Sequence, residues 1–91
     1  MVIRVKLILL DENLRRHFGK REETFELSEK STVKDLLNII AEQCGGEILN
    51  RFVKSGASIM LNGQNIEFLG GIEARLNDGD RVAIVPNVAG G

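Results

Sequence analysis

Hydrophobic and polar residues alternate along the first segment of the chain, from Val2 to Leu10. The segment reads "VIRVKLILL", and its odd-numbered residues are all apolar, whereas two cationic residues lie between them. A period of two places successive side chains on opposite faces and is typical of a β-strand. The segment "ETFEL" repeats this period with Phe25 and Leu27. We therefore predict two strands that pair as a hairpin.

The connection between these two strands is long for a tight turn. It reads "ENLRRHFGKREE", and its apolar residues Leu14 and Phe18 are four positions apart. This spacing fits one helical turn with an apolar face, and it also fits a loop that directs two side chains inward. Both interpretations stay open at the level of the sequence.

A continuous apolar stripe with helical spacing follows Thr32. Its residues fall on one face of a helix: Val33, Leu36, Leu37, Ile40, Ala41 and Cys44. Thr32 and Asp35 have the spacing of a capping box, and Gly45 with Gly46 supplies a left-handed C-terminal stop. We predict the main helix here. A shorter apolar run before Ser55 predicts a second, short helix, and it consists of Ile48, Leu49, Phe52 and Val53.

Two tight turns are predicted in the second half of the chain. The step Asn62-Gly63 can hold the positive φ angles of a type I′ hairpin turn, and Asp78-Gly79 precedes the strand-like segment "RVAIV". Pro86 ends that strand because proline lacks a backbone donor. The order strand, strand, helix, short helix, strand, strand, strand predicts an α+β fold, a sheet of four to five strands with one main helix on one face.

One helix covers only one face of such a sheet. The period of two places four residues together on the opposite face: Ile8, Met60, Ala83 and Val85. We expect that face to be exposed and partly apolar, and to contribute to the docking of a partner.

Composition limits the classes of function. With 91 residues the chain forms one domain, and a domain of this size is too small for a deep enclosed active-site cavity. Lys and Arg number 12 against 13 Asp and Glu, so the net charge of -1 gives no reason to expect nucleic acid or a membrane as partner. One cysteine permits no internal disulfide. No stretch approaches the roughly 20 apolar residues of a membrane span, and we expect a cytoplasmic protein.

The usual catalytic constellations are absent from the sequence. Cys44 lies on the apolar stripe of the main helix, where a buried thiol is expected, and His17 stands among charged residues of the first connection. The glycine pairs in "CGGEI" and "LGGIE" lack the frame of a phosphate-binding loop. We therefore expect no metal site, no bound cofactor and no enzymatic activity of the chain alone.

The segment "IVPNVAGG" indicates a chemistry in which the chain is the substrate of another protein rather than a catalyst. No bulky or charged side chain follows Asn87, and glycine lets another protein's backbone approach closely because it has no Cβ. Such a tail can enter a narrow channel and present the carboxylate of Gly91 to the active site of another protein. Adenylation by ATP would activate that carboxylate as an acyl-AMP. Attack by a sulfide equivalent would then give a thiocarboxylate, whereas a cysteine followed by a lysine would give an isopeptide bond.

Four segments together resemble the ubiquitin-like β-grasp sulfur carriers, above all the small subunit of molybdopterin synthase and its archaeal relatives that modify proteins. The segments are "STVKDLL", "LNGQNI", "LNDGDRVAIVP" and "VAGG", and they occur in the order of that family over nearly the whole chain. The resemblance implies a mixed sheet in which the first and last strands run parallel in the middle. It implies a β-grasp domain over residues 1–86 and a flexible tail over residues 87–91.

The resemblance also implies roles for the tail residues. Gly91 would be adenylated by an activating enzyme that uses ATP and then be thiocarboxylated, Gly90 would give clearance in the channel, and Val88 and Ala89 would lie along it after Pro86. The expected partners are the activating enzyme and the large subunit of molybdopterin synthase, so that the chain supplies sulfur for molybdenum cofactor biosynthesis. Asn87 stands where the family usually has a second proline. The alternative is a protein modifier that is joined through Gly91 to lysines of target proteins.

Overall fold

A computed structural model of the protein describes residues 1–10, 12–47, 50, 54 and 56–86, excluding the side chains of residues 13, 14, 17 and 44. The strands are β1 (Val2–Leu9), β2 (Glu22–Ser28), β3 (Ser58–Leu61), β4 (Gln64–Asn65) and β5 (Arg81–Val85). The helices are α1 (Glu12–Phe18) and α2 (Val33–Cys44), and two 3-10 turns span Ile66–Phe68 and Gly71–Glu73.

The five strands form one mixed sheet in the order β2-β1-β5-β3-β4. Strands β1 and β5 are parallel neighbours in the middle of the sheet, and the other neighbouring pairs are antiparallel. The prediction of an α+β fold with parallel central strands is therefore confirmed. Because β1 and β5 are both paired on their two sides, the last strand is held along its whole length in the centre of the sheet.

The start of α2 has the predicted capping box. Thr32 Oγ1 accepts from the backbone N–H of Asp35 at 3.4 Å, and the Asp35 carboxylate accepts from the Thr32 N–H at 2.8 Å. These two bonds satisfy backbone donors that the first turn of a helix leaves unpaired. At the other end the helix is capped by Gly45, whose φ of 89° suits glycine, and its N–H donates to Ala41 O.

The apolar stripe of α2 packs on one face of the sheet, which we call the inner face. Val33, Leu36 and Ile40 of the helix are almost completely buried. They share one core with the inward side chains of the strands: Ile3, Val5, Leu7, Leu9, Phe25, Leu27, Leu61, Val82 and Ile84. The sheet and α2 thus cover the same core from its two sides, because the period of two in the strands and the helical spacing in α2 direct their apolar side chains toward each other.

The first connection contains a helix rather than a loop. Helix α1 includes both Leu14 and Phe18, which decides between the two interpretations of their spacing. The Phe18 ring packs against the core and meets Phe25 edge to face, with ring centroids 6.5 Å apart. The side chain of Leu14 lies outside the described part of the chain. At the other end of the sheet, Asn62 and Gly63 both have positive φ, as predicted for the β3–β4 turn.

Two features of the remaining chain stand apart from the sequence prediction. The 3-10 turns between β4 and β5 were not predicted, and the first begins where Asn65 Oδ1 accepts from the N–H of Glu67 at 3.0 Å. The second predicted helix falls on Ile48, Leu49, Phe52 and Val53, which lie outside the described residues. Four neighbours of that run have helical backbone: Gly46, Glu47, Asn50 and Lys54.

Candidate functional site

The uncovered face of the sheet, which we call the outer face, brings three of the predicted residues into one row. Ala83 on β5 is paired with Ile8 on β1 and with Met60 on β3. Because side chains of directly paired residues share a face of a sheet, these three stand side by side across the central strands. All three are half-buried, unlike their fully buried inner neighbours Leu9 and Ile84.

These side chains line an open depression with a volume of about 590 Å³. It also includes Val85, so the four residues predicted for the outer face do lie together. We call its apolar residues the apolar patch: Ile8, Leu10, Met60, Ala83 and Val85. Leu10 was missed by the sequence analysis, although the period of two continues from Ile8 to Leu10 and could have found it. Its side chain is 43% exposed.

Charged residues of both signs lie at one end of the outer face: Arg4, Lys6, Asp80 and Arg81, with Glu22 and Glu26 as ion-pair partners. Arg81 lines the depression. It is also the direct partner of Lys6 in the parallel pairing of β5 with β1. Lys6 Nζ lies 3.4 Å from a Glu22 carboxylate oxygen, and Arg4 forms a longer exposed pair with Glu26 at 3.7 Å. Sequence analysis did not single out Arg81, although alternation in "RVAIV" places it on the same face as Ala83.

The apolar patch is continuous with the end of the last strand. Val85 is the final residue of β5 and lines the depression, and Pro86 follows it as the last described residue. The predicted tail residues lie outside the described part of the chain: Asn87, Val88, Ala89, Gly90 and Gly91. One residue of the patch, Val85, is therefore directly followed in the chain by Pro86, after which the predicted tail begins.

Other candidate chemistry is sparse in the described residues. Within that set no group of three or more His, Cys, Asp and Glu side chains is placed to hold a metal ion. The backbone of Cys44 ends α2 and that of His17 belongs to α1, but both side chains lie outside the description. No helix in the described part of the chain is long and apolar enough to cross a membrane.

Comparison with known families identifies the fold and the class of protein. Residues 8–91 match the model of the ThiS family. The chain belongs to the ThiS family. This match begins at the last two residues of β1 and includes the other four strands and α2. It confirms the resemblance to the ubiquitin-like sulfur carriers with a β-grasp fold.

Individual relatives of this ThiS-family chain have more than one role. A protein of Archaeoglobus fulgidus that has been assigned as a sulfur carrier is 35% identical over 69 residues, which cover 70% of this chain and 78% of that protein. Small archaeal modifier protein 1 from Methanosarcina acetivorans is 30% identical, with a TM-score of 0.75, and the match covers 100% of this chain and 99% of that chain.

A third similar structure is a protein–protein complex. It contains subunits 1 and 2 of the molybdopterin-converting factor from Helicobacter pylori. The match has 25% identity and a TM-score of 0.62, and it covers 98% of this chain and 100% of that chain. The relatives of this ThiS-family chain thus include a protein that is found bound to a partner.

Proposed function

We propose that the chain is a sulfur carrier of the molybdopterin synthase small-subunit type, with Gly91 as its sulfur-bearing residue. The family supports carriage of sulfur, and the similarity to a molybdopterin-converting factor complex supports this particular recipient. The chain would act with two partners in turn. An activating enzyme would load the Gly91 carboxyl group, and a larger synthase subunit would hold the pterin that receives the sulfur.

The observation that carries this proposal is the position of the apolar patch beside the origin of the tail. Val85 belongs to the patch and also ends β5, and Pro86 stops the strand pairing directly after it. A partner that covers the patch would therefore receive the tail at the edge of the same contact. Apolar side chains that are grouped on one face and remain in part accessible to solvent are typical of protein interaction sites. The fixed central strand would then set where the tail enters the partner.

The loading step follows from the chemistry of a carboxylate. A Gly91 carboxylate oxygen would attack the α-phosphorus of ATP in the activating enzyme, and pyrophosphate would leave. The resulting acyl-AMP has a good leaving group. Hydrosulfide, or a donor that delivers sulfur at the same oxidation level, would attack the carbonyl carbon, AMP would depart, and one proton would be released. The product is a thiocarboxylate at Gly91, and the larger subunit would use its sulfur to build the dithiolene of the pterin.

Intact-mass spectrometry tests this function. The purified chain is incubated with the activating enzyme of its source organism, ATP and a sulfide donor, and the expected change is one exchange of oxygen for sulfur at Gly91. A variant that lacks Gly91 serves as the control, because it keeps the patch and loses the proposed reactive residue. A wild-type chain that never gains sulfur under conditions in which the enzyme forms acyl-AMP would contradict the proposal.

A second candidate function is protein modification. It is favoured by the similarity to small archaeal modifier protein 1 over 100% of this chain. In that case the Gly91 carbonyl would pass from acyl-AMP to a cysteine and then to a lysine amine of a target protein. Immunoblots of extract from the source organism would show conjugates of high mass that disappear when Gly90 and Gly91 are deleted. Sulfur loading and conjugation share the first step, so a chain that does both satisfies both tests.

A further inference from the structure

The β3–β4 turn contains the only asparagine that is followed by glycine in the sequence, Asn62-Gly63. An asparagine side chain loses ammonia when the backbone nitrogen of the next residue attacks its carbonyl carbon Cγ. Glycine favours this attack because it has no side chain to hinder its nitrogen. Both residues are exposed, and no atom lies within 4 Å of the position that a Cβ on Gly63 would occupy. The turn therefore presents a reactive pair to solvent.

The folded turn keeps the two reacting atoms apart. Asn62 has a φ of 51°, which places it in the left-handed helical region, where ψ is about +30 to +60°. At such a ψ the Gly63 nitrogen and the Asn62 Cβ lie on opposite sides of the Cα–C bond, whereas ring closure needs them on the same side. The carboxamide is also held by two hydrogen bonds, from Nδ2 to the Asp80 carboxylate and from the Arg81 N–H to Oδ1, both at 3.0 Å. Reaction therefore requires the turn to open.

The hairpin that contains this turn lies at an edge of the sheet. Strand β4 has two residues, Gln64–Asn65, and among the described strands it pairs with β3 alone. Local opening of a short edge element breaks few contacts, so it costs less free energy than unfolding of the core. Release of β4 frees the backbone of Asn62 without requiring α2 to leave the inner face.

We propose that Asn62 is a deamidation site that becomes reactive when the β3–β4 hairpin opens locally. In the open turn the Gly63 nitrogen gives its proton to solvent and attacks Cγ of Asn62. The new N–Cγ bond closes a succinimide ring, and the Cγ–Nδ2 bond breaks, so that the amide group takes up a proton and leaves as ammonia. Water then opens the ring at either carbonyl and gives aspartate or isoaspartate. Nothing is oxidised or reduced, and water is the co-reactant.

Both products favour the open hairpin. An aspartate at position 62 places a second carboxylate beside Asp80, where Nδ2 donated a hydrogen bond. An isoaspartate also adds a methylene group to the main chain within a two-residue turn, whose backbone geometry is tightly restricted. Deamidation thus marks irreversibly those chains whose hairpin has opened, and it weakens the contact between this turn and the start of β5. This inference does not depend on the proposed function, because it involves neither Gly91 nor a partner.

Peptide mapping by mass spectrometry measures the reaction. The folded wild type is incubated at one pH and temperature, beside the same chain in concentrated guanidinium chloride, and the conversion of the Asn62 amide to a carboxyl group is followed with time. We expect the folded chain to react at least about tenfold more slowly than the unfolded chain, because only the open fraction reacts. Asp80→Ala should raise the rate in the folded chain about three- to tenfold, the effect of one lost hydrogen bond on the opening equilibrium.

Asp78→Ala is the matched control for Asp80→Ala. It also removes a carboxylate from the turn before β5, but that carboxylate accepts from the Arg4 N–H and not from Asn62. We expect its deamidation rate to stay within about twofold of the wild type, because surface substitutions away from a specific contact change stability little. Circular dichroism of each variant establishes that it is folded before the rates are compared.

The dependence on denaturant separates local opening from global unfolding. Below the unfolding transition, a reaction through local opening should accelerate only weakly with guanidinium chloride, because little surface is exposed. Acceleration with the full slope of global unfolding would overturn the inference, and this measurement needs the wild type alone if Asp80→Ala does not fold. Equal rates in the folded and unfolded wild type would also overturn it, as would a folded Asp80→Ala chain that reacts no faster than Asp78→Ala.

Discussion

The carboxamide of Asn62 joins the β3–β4 turn to the start of β5. Its Nδ2 donates to an Asp80 carboxylate oxygen at 3.0 Å, and its Oδ1 accepts from the backbone N–H of Arg81 at 3.0 Å. The backbone N–H of Asn62 also donates to Arg81 O at 2.8 Å. One side chain therefore uses a donor and an acceptor at once to fix the start of β5, the strand that contributes Ala83 and Val85 to the apolar patch. An oxygen in place of the Nδ2 group cannot make the bond to Asp80.

We predict that Asn62→Asp destabilises the fold. The substitution keeps the shape of the side chain but places a second carboxylate beside that of Asp80, so that electrostatic repulsion replaces the hydrogen bond. The expected loss is about 0.5–1.5 kcal/mol in the free energy of unfolding, the range for a typical hydrogen bond, because the Asn62–Asp80 bond is exposed to solvent. For a domain of this size that loss lowers Tm by about 4–8 °C for each kcal/mol. Thermal denaturation followed by circular dichroism at neutral pH measures it.

Asn65→Asp provides the matched control for this prediction. It makes the same change of charge in the same hairpin. The hydrogen bond of the Asn65 side chain is made by Oδ1, which accepts from the Glu67 N–H. An aspartate oxygen can accept the same bond, so the substitution keeps it. We expect a Tm close to that of the wild type. Equal losses in the two variants would show that added negative charge, rather than the Asn62–Asp80 bond, determines the result.

We predict that Thr32→Val weakens the start of α2. Valine keeps the size of the threonine side chain but cannot accept the hydrogen bond from the Asp35 N–H. Loss of such a cap costs about 0.5–2 kcal/mol, and urea denaturation should show it as a lower midpoint with an unchanged slope. Thr24→Val is the control, because Thr24 is exposed on β2 and caps no helix. A stability equal to that of this control would contradict the role of the cap.

We predict that Leu36→Ala is far more costly than Leu37→Ala. Leu36 is completely buried beneath the sheet, whereas its neighbour Leu37 is only half-buried at the margin of the core. Truncation of a buried leucine removes its apolar contacts and leaves a cavity, at a cost of about 2–5 kcal/mol. Both variants make the same chemical change in the same helix, so the difference between them reports the difference in burial. Similar free energies of unfolding for the two variants would contradict the packing of α2 on the inner face.

Much of the fold follows from the sequence because its signals are local. The spacing after Thr32 gives α2 together with its capping box, and the Asn62-Gly63 step gives a turn with two positive φ angles. The 3-10 turns between Ile66 and Glu73 escaped prediction for a physical reason. They are short and lack an apolar period, and they are held in part by a side-chain bond from Asn65 and by contact with neighbouring elements.

The candidate site could be predicted only in part. A period of two assigns Ile8, Met60 and Ala83 to one face, but it does not state which strands are neighbours, and the order of strands brings them into one row. That order depends on contacts between distant parts of the chain. The charged end of the outer face illustrates the same limit, because the pairing of Lys6 with Arg81 also depends on β1 and β5 being neighbours.

Met60→Asp should separate docking from folding. Met60 is half-buried on the outer face, so a charge there can remain in contact with water in the free chain, but it would be desolvated under a partner. We expect a Tm near that of the wild type. For the proposed partner, the larger synthase subunit, we expect an increase in Kd of about 30-fold or more, equivalent to loss of a central contact of about 2 kcal/mol. Phe68→Asp is the control, because Phe68 is an apolar residue that is 85% exposed and does not line the depression. Isothermal titration calorimetry measures the Kd of both variants. A folded Met60→Asp chain that binds as tightly as the Phe68→Asp control would show that the apolar patch is not part of the interface.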